Sequence, residues 1–387
     1  MPIRLALVCD PLEEGWPSMD LVGDMILGHL QAGHAGEVAV TRVRPQFRRR
    51  LGRLGRAGHN LDRLGNRFLD YPRALRSLAR GGEFDAYHIV DHSYAQVVHE
   101  LPPGRAVVTC HDLDTFRCLL DPAREPRPRW FRAMARRILT GLQKASAVAC
   151  ISEATRDGLL ARGLMPADRL HLIPYGIAPE HAAAADPPRD AEAGALIGPA
   201  GPADLLHVGS TIPRKRIDVL LEVFAAVRRA RPGARLIRVG GHLTPEQARR
   251  AAALGVAGAI VSIPFLDRPR LAALYRRAAL VLQPSEAEGF GLPVAEAIAC
   301  GAAVLASDLP ALREAGGDVA TYRPVGDVPA WAEAALALLD ERSAGADAWR
   351  DRRAAGLARA AGFRWGTHAD RLVPLYRAAA GLAPRGG

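Results

Sequence analysis

Two glutamates, Glu288 and Glu296, stand eight residues apart in the stretch SEAEGFGLPVAEAIACG (285–301). Ahead of them, AALVLQPS (278–285) reads as an apolar strand running into a turn. Gly289 and Gly291 permit unusual backbone angles and close approach of a ligand. Pro293 suits the first helical position, PVAEAIAC reads as a helix, and Gly301 is its expected stop. N–H groups at the helix start, near Gly291 and Leu292, favour an anion. A carboxylate can accept two hydroxyl hydrogen bonds at once, so each glutamate can grip a diol. The segment therefore offers diol, phosphate and diol recognition in one piece. A nucleoside diphosphate sugar carries those groups in that order: ribose, diphosphate, hexose.

A second stretch, LLHVGSTIPRKRIDVLLEVFAAV (205–227), has the complementary chemistry. A strand is expected to end at Gly209. A loop then carries Ser210, Arg214, Lys215 and Arg216, and an amphipathic helix follows. A departing diphosphate needs cationic neutralisation, for which Arg214 offers a fork and Lys215 a compact point charge. Of the 51 cationic residues, only Lys144 and Lys215 are lysine. A solvated basic turn is the alternative reading.

The elements that must position these residues alternate along the chain. Strands are expected at 3–9, 37–43, 86–90, 105–110, 147–151 and 170–174, with helices at 19–31 (Ser18 as N-cap), 93–100, 129–144 and 153–162. Alternation restarts at 205, with strands at 235–240, 259–263, 279–283, 303–306 and 319–322. This pattern predicts an α/β protein of two Rossmann-like, doubly wound parallel-sheet domains facing across a cleft, with ligands at the carboxyl ends of the strands. Residues 1–185 form the expected first domain and 205–365 the second. Residues 186–204, rich in Ala, Pro, Gly and Asp and without periodicity, are expected as a linker or long loop. The 387 residues carry a formal charge of +10 and are 49% hydrophobic. The five cysteines form no CxxC pair, which favours a reducing, cytoplasmic compartment. The first residues carry too short an apolar run for a signal peptide, and no run is long enough to span a membrane.

The motifs HVGS…PRKRIDVLL, PSEAEGFGLPVAEAIACG and ASDLPALREAGGDV resemble the retaining glycosyltransferases of family 4, also called glycosyl transferases group 1, which have the GT-B fold. VTCHDL (108–113), ISEATRDGLL (151–160) and LIPYGI (172–177) match more loosely. FRWGTHADRLVPLYR (363–377) resembles the family's terminal helix, so 366–387 are expected to cross back onto the first, acceptor-side domain. The resemblance implies that Glu288 contacts hexose hydroxyls, assisted by the backbone at Phe290 and Gly291, and that Glu296 holds the ribose. Arg214 and Lys215 would hold the diphosphate, with Gly209 and Ser210 at the strand end. The segment around Phe265 would line the base, and His111 would contact the hexose from the other domain. Gly15 would stand for the family's glycine-rich loop near the diphosphate. Transfer would retain anomeric configuration, with the departing phosphate taking the acceptor proton. The family commonly has Arg where Ser210 stands and Gly where Arg216 stands.

The expected function is transfer of a hexosyl group from GDP-mannose, UDP-glucose or UDP-N-acetylglucosamine to a glycan, lipid-linked or small-molecule acceptor. A sugar-nucleotide epimerase, a glycan phosphorylase and a non-catalytic nucleotide-sugar-binding subunit are the alternatives. HDLD (111–114) invites a metal-binding reading, but no metal or other cofactor is expected. Residues 42–80 hold twelve arginines against Asp62 and Asp70. Three readings stay open for that stretch: an anionic membrane surface at the cytoplasmic face, an anionic glycan, or plain solvation. Nucleic acid is not expected, because no aromatic interleaving accompanies the charge.

Overall fold

The computed structural model describes residues 1–199, 201, 203–345 and 347–382, and the side chains of all of these except Leu54 and Arg56. Residues 200 and 202 of the expected linker and 383–387 of the expected terminal helix lie outside the described residues. Twelve short strands form two sheets. The first holds β1 (Ile3–Val8), β2 (Val38–Val43), β3 (Ala86–Ile89), β4 (Ala106–Cys110), β5 (Ala147–Cys150) and β6 (Leu170–Leu172), in the order 2-1-3-4-5-6. The second holds β7 (Asp204–Val208), β8 (Arg235–Val239), β9 (Ile260–Ile263), β10 (Leu280–Gln283), β11 (Val304–Ser307) and β12 (Thr321–Arg323), in the order 12-11-10-7-8-9. Every strand pair is parallel. Parallel strands covered on both faces read as near-continuous apolar runs, and β4 (AVVTC) and β10 (LVLQ) are buried at every position.

The chain divides into two compact units, Met1–Gly176 with the segment from Trp365 onward, and Ile177–Arg364. The second sheet reverses its order between β7 and β10, which makes their carboxyl ends the topological switch point. In the first sheet the reversal lies between β1 and β3.

In the first unit, the helix Trp365–Ala379 is tied in by polar bonds. Buried His88 bridges Tyr376 Oη (2.7 Å) and Thr109 Oγ1 (2.8 Å). Burial pulls the His88 pKa down to about 3, so the ring bridges as neutral imidazole.

Two expectations need correction, and the structure adds detail to a third stretch. Residues 186–204 are not a plain linker: Pro187–Ile197 is a helix, capped by Asp186 accepting from Arg189 N–H (3.3 Å), and it belongs to the second unit. It buries only Ala193 and Ile197, which is why it shows no apolar period. Ion pairs hold it instead, Arg276–Asp190 (2.6 Å) and Arg270–Glu192 (2.7 Å) to the helix Arg268–Arg277. The helix expected at 19–31 with Ser18 as its cap runs Pro17–Gly33 behind Trp16, because Pro17 is pre-set for a first helical turn. The arginines of 42–80 do not make a continuous unpaired basic face. Arg42 pairs with Asp24, Arg44 with Asp20, Arg50 with Asp70, Arg63 with Glu14 and Arg76 with Glu100. Arg67 donates to the Ser93 carbonyl and lies over the Tyr94 ring. Among the described residues, no helix is long and apolar enough to cross a membrane.

Close backbone packing sets the first unit's layers. The helix Arg129–Lys144 lies against the 3-10 helix His92–Glu100 at Gly141, where an added Cβ would run into the Ala95 carbonyl. Gly141→Ala is therefore expected to destabilise the unit by about 2 kcal/mol or more. Chemical denaturation of the full chain measures this; a change below about 0.5 kcal/mol would show that the two elements can separate freely.

Candidate active site

The site is built in the second unit, at the switch point. β7 ends at Val208, and Gly209 donates its N–H to the Val239 carbonyl (2.9 Å), still in register with β8. The chain then turns through Pro213–Lys215, a single 3-10 turn. Glycine is required at Gly240, and Gly209 is a tighter fit for any other residue. A Cβ on Gly240 (φ +118°) would strike the Gly209 carbonyl. One on Gly209 would lie 3.1 Å from the His207 ring and 3.5 Å from Lys215 Cδ. Lys215 is thereby laid inward and is buried. Its Nζ donates to Glu288 Oε1 at 2.6 Å.

Glu288 follows β10 and is held from three sides. Lys215 Nζ, Gln283 Nε2 (2.8 Å) and Ser285 Oγ (2.7 Å) all converge on Oε1. Burial alone would raise this carboxyl. The Lys215 and Arg214 charges and the bonds from Lys215 and Ser285 overcome it and hold the pKa at about 2. Glu288 is thus a fixed carboxylate across any physiological pH. It cannot act as a general base near neutrality, but it remains an acceptor for hydroxyls. Arg214 lies in the same loop, its guanidinium facing the Ala287 carbonyl (3.4 Å), while its own carbonyl accepts the Glu286 N–H (2.9 Å). The two loops are therefore stitched together through backbone as well as charge.

The helix after Glu288 runs Leu292–Ala299. Gly291 caps it at φ +94°, and a Cβ there would meet Leu312 Cδ2 at 2.7 Å. Its first backbone bonds are those of Val294 and Ala295 to the Gly291 carbonyl, so the N–H groups of Gly291 and Leu292 precede the ladder. Gly301, at φ +78°, stands just past the helix end. Glu296 lies within the helix and accepts from Tyr275 Oη through Oε2 (3.0 Å). His181 Nε2 is 3.9 Å from that same oxygen, and neither ring nitrogen of His181 has a hydrogen-bond partner.

The other expected residues divide by surroundings. Phe290 is buried with its ring edge-on to Phe363 (5.6 Å), so it can offer a ligand only its backbone. Phe265 is 60% exposed, just beyond β9. Ser210 is half-buried after Gly209. Gly15 belongs to the first unit and closes the turn Leu12–Glu14 at φ +66°. His111, also in the first unit, is buried at the end of β4. Its Nε2 faces the Val90 carbonyl (2.8 Å) and its Nδ1 the Tyr175 hydroxyl (2.6 Å). A carbonyl can only accept, so Nε2 carries the proton and Nδ1 receives from Tyr175. Both ring nitrogens are spent inside the protein in this conformation, and burial lowers the His111 pKa.

Asp91, His92 and His111 offer ligand atoms within 4.8 Å of one another, but these are already used. Asp91 accepts from Ser93 N–H (2.7 Å) and Ser93 Oγ (2.5 Å). His92 Nδ1 accepts the His111 backbone N–H (3.2 Å), and its Nε2 meets Thr115 Oγ1 (3.2 Å). The HDLD pair is likewise engaged, Asp112 accepting the Asp114 N–H (3.0 Å).

Sequence reasoning missed Gln283, Tyr275, His181 and the ring of His207. Gln283 left one signal, a polar residue ending an otherwise apolar strand. Tyr275 lies 21 positions from Glu296 on another helix and left none.

Comparison with known proteins establishes the fold and the family. The fold is GT-B: the structure superposes on sucrose-phosphate synthase from Thermosynechococcus elongatus with TM-score 0.71 at 20% identity, over 97% of this chain and 98% of that one. It superposes on Anabaena HepE, solved with UDP and glucose, with TM-score 0.69 at 18% identity, over 96% and 98%. Residues 22–181 match the sequence model for Glycosyltransferase Family 4, and 202–341 that for Glycosyl transferases group 1. The chain belongs to the family 4 (group 1) glycosyltransferases. Among curated relatives, D-inositol 3-phosphate glycosyltransferase of Segniliparus rotundus is 39% identical over 178 residues, 44% of this chain. O-antigen chain mannosyltransferase B of Escherichia coli is 28% identical over 283 residues, 70% of each chain. The chain covers about two fifths of the length of the inositol-phosphate enzymes it matches first.

Arg216, where the family has glycine, sits at φ +47°, ψ +51°, the one non-glycine in the left-handed region among the described residues. Its guanidinium grips Asp218 (2.8 Å). Arg216→Gly is expected to be about 1 kcal/mol more stable than Arg216→Ala, since both lose the pair but only alanine keeps the strain. Equal denaturation midpoints and slopes for the two variants would show that the backbone here is unstrained.

Proposed function

We propose that this chain is a metal-independent, retaining hexosyltransferase that takes its sugar from a nucleoside diphosphate donor. The observation that carries the reading is the buried Lys215–Glu288 pair at the switch point of the second sheet, with Glu296 one helix turn beyond. In this reading the diphosphate lies at Lys215, Arg214 and the N–H groups of Gly209–Ser210 and Gly291–Leu292. Glu288, through its second oxygen, takes hexose hydroxyls, and Glu296 takes the ribose. Phe265 lies beside the base. Gly15 and His111 belong to the first unit, where both ring nitrogens of His111 are hydrogen-bonded. The bond between C1 and the phosphate oxygen breaks, and the bond from C1 to the acceptor oxygen forms on the same face. The acceptor proton leaves on the departing phosphate. The fixed ionisation of Glu288 supports that assignment, because it removes the obvious candidate for a general base.

Uridine and guanosine diphosphate sugars are the donors proposed. HepE is crystallised with UDP-glucose, and the Escherichia coli relative is named a mannosyltransferase. The acceptor is a hydroxyl-bearing glycan or polyol, free or lipid-linked. The paired arginines of 42–80 give no reason to add an anionic membrane surface to its partners.

Lys215→Ala and Glu296→Ala should each weaken UDP or GDP binding about tenfold or more in calorimetric titration, and Glu288→Ala should cut turnover by about a hundredfold. Wild-type affinity and turnover in all three would remove the site from contention. Turnover in EDTA should equal that in added magnesium; loss of activity restored by a divalent cation would return a metal to the mechanism.

A further inference from the structure

Beneath the Gly209 turn lies a charged group that the proposed mechanism does not use. Arg238, on β8, is fully buried. Among the described residues no carboxylate pairs with it. Its Nη2 donates to the Gly209 carbonyl (2.8 Å), its Nη1 to the Gly241 carbonyl, and its Nε has no partner. Beside it His207 is also fully buried, with neither ring nitrogen bonded. Burial and the charges of Arg238 and Lys215 hold that ring neutral, with Glu288 opposing them. Three charges thus surround one neutral imidazole: two cations and one carboxylate.

A buried cation without a counter-ion is costly. The carbonyl dipoles of Gly209 and Gly241 offset part of that cost, and burial still draws the Arg238 pKa down only to about 10, so the charge persists at neutral pH. Among the described residues no carboxylate is hydrogen-bonded to this guanidinium. The loop directly above is the one that carries Lys215.

The backbone adds a second consequence. In a trans peptide the carbonyl and the following N–H point in opposite directions. By drawing the Gly209 and Gly241 carbonyls towards itself, Arg238 turns the N–H groups of Ser210 and His242 away from the guanidinium. Two strand-end loops are fixed by one side chain.

We propose that Arg238 is a positioning residue for the donor's diphosphate: its unpaired charge attracts the anion from below, and its two carbonyl bonds fix the loops that receive it. This rests on the donor-site reading above. The test is calorimetric titration of wild type, Arg238→Met and Arg238→Lys with UDP, GDP, uridine and guanosine. It is joined by thermal melting of each protein with and without inorganic pyrophosphate.

Arg238→Met should lose about tenfold or more in affinity for the diphosphate while its affinity for the matching nucleoside stays within about twofold. Arg238→Lys keeps the charge but cannot reach both carbonyls, so its ratio of diphosphate to nucleoside affinity should fall between the two. Pyrophosphate should raise the melting temperature of wild type most and of Arg238→Met least. A ratio unchanged in both variants, or diphosphate and nucleoside affinities falling together, would reduce Arg238 to a packing residue. If Arg238→Met does not fold, Arg238→Lys against wild type decides by the same ratio. Binding of pyrophosphate but of neither nucleotide by wild type, lost in the variants, would uphold the charge and count against the donor reading alone.

Discussion

The buried ion pair between Lys215 and Glu288 is the constraint around which the second unit is arranged. Taking two charges out of water is expensive, and their attraction offsets the cost only with good geometry and further hydrogen bonds. Gln283 and Ser285 provide those bonds, and they place them on the oxygen that already faces Lys215. Concentrating all three donors on Oε1 has a geometric result. The carboxylate is anchored through that one oxygen from three sides, which fixes its rotation and suits an acceptor that must meet a ligand in one orientation. An apolar pair of similar volume could hold the loops together as well, but it could not do that.

Such a pair can form only if the loops that carry it come close, and the close approach is glycine's doing. Gly240 lets the end of β8 lie against the Gly209 carbonyl, and Gly209 leaves room for the Lys215 stem. Gly291 turns the second loop into its helix against Leu312. Arg216 shows what this geometry demands from the other side. The loop needs a left-handed residue at that point, and the sequence supplies arginine at a cost in backbone strain. Its ion pairs with Asp218 and, at 3.7 Å, with Glu286 offset part of that cost and add one more tie between the loops after β7 and β10.

The second unit was largely legible in the sequence because its site is local. Lys215 lies a few residues beyond β7, and Glu288 and Glu296 follow β10 within one continuous stretch. Each stretch shows its strand, its turn glycines and its helix start together. What stayed hidden depends on tertiary contact. Tyr275 reaches Glu296 from a separate helix, and Arg238 is indistinguishable in sequence from the many arginines of an Arg-rich chain until its burial is known. The helix Pro187–Ile197 was invisible for a different reason. Ion pairs hold it where buried apolar residues usually would, and apolar periodicity is the signal a sequence reading relies on. Most ion pairs of the 42–80 arginines were hidden for a related reason: Asp24, Asp20, Glu14 and Glu100, which pair with Arg42, Arg44, Arg63 and Arg76, lie outside that run.

The two units therefore solve different electrostatic problems with the same sheet. At its switch point the first unit gathers acids. Asp10 follows β1 and Asp91 follows β3; burial and the neighbouring Asp91 charge push the Asp10 carboxyl well above its usual range. His92 and His111 favour the ionised form of Asp91 against its burial. Asp10 is thereby drawn towards its neutral form, so the first switch point gathers less buried negative charge than its two carboxyls suggest. The second switch point gathers the opposite sign. It buries Lys215 against Glu288, and it buries Arg238 with no paired carboxylate among the described residues, beneath the Gly209 turn. A fold that keeps a surplus of that sign in a desolvated place stabilises an anion there more than it stabilises its own empty form.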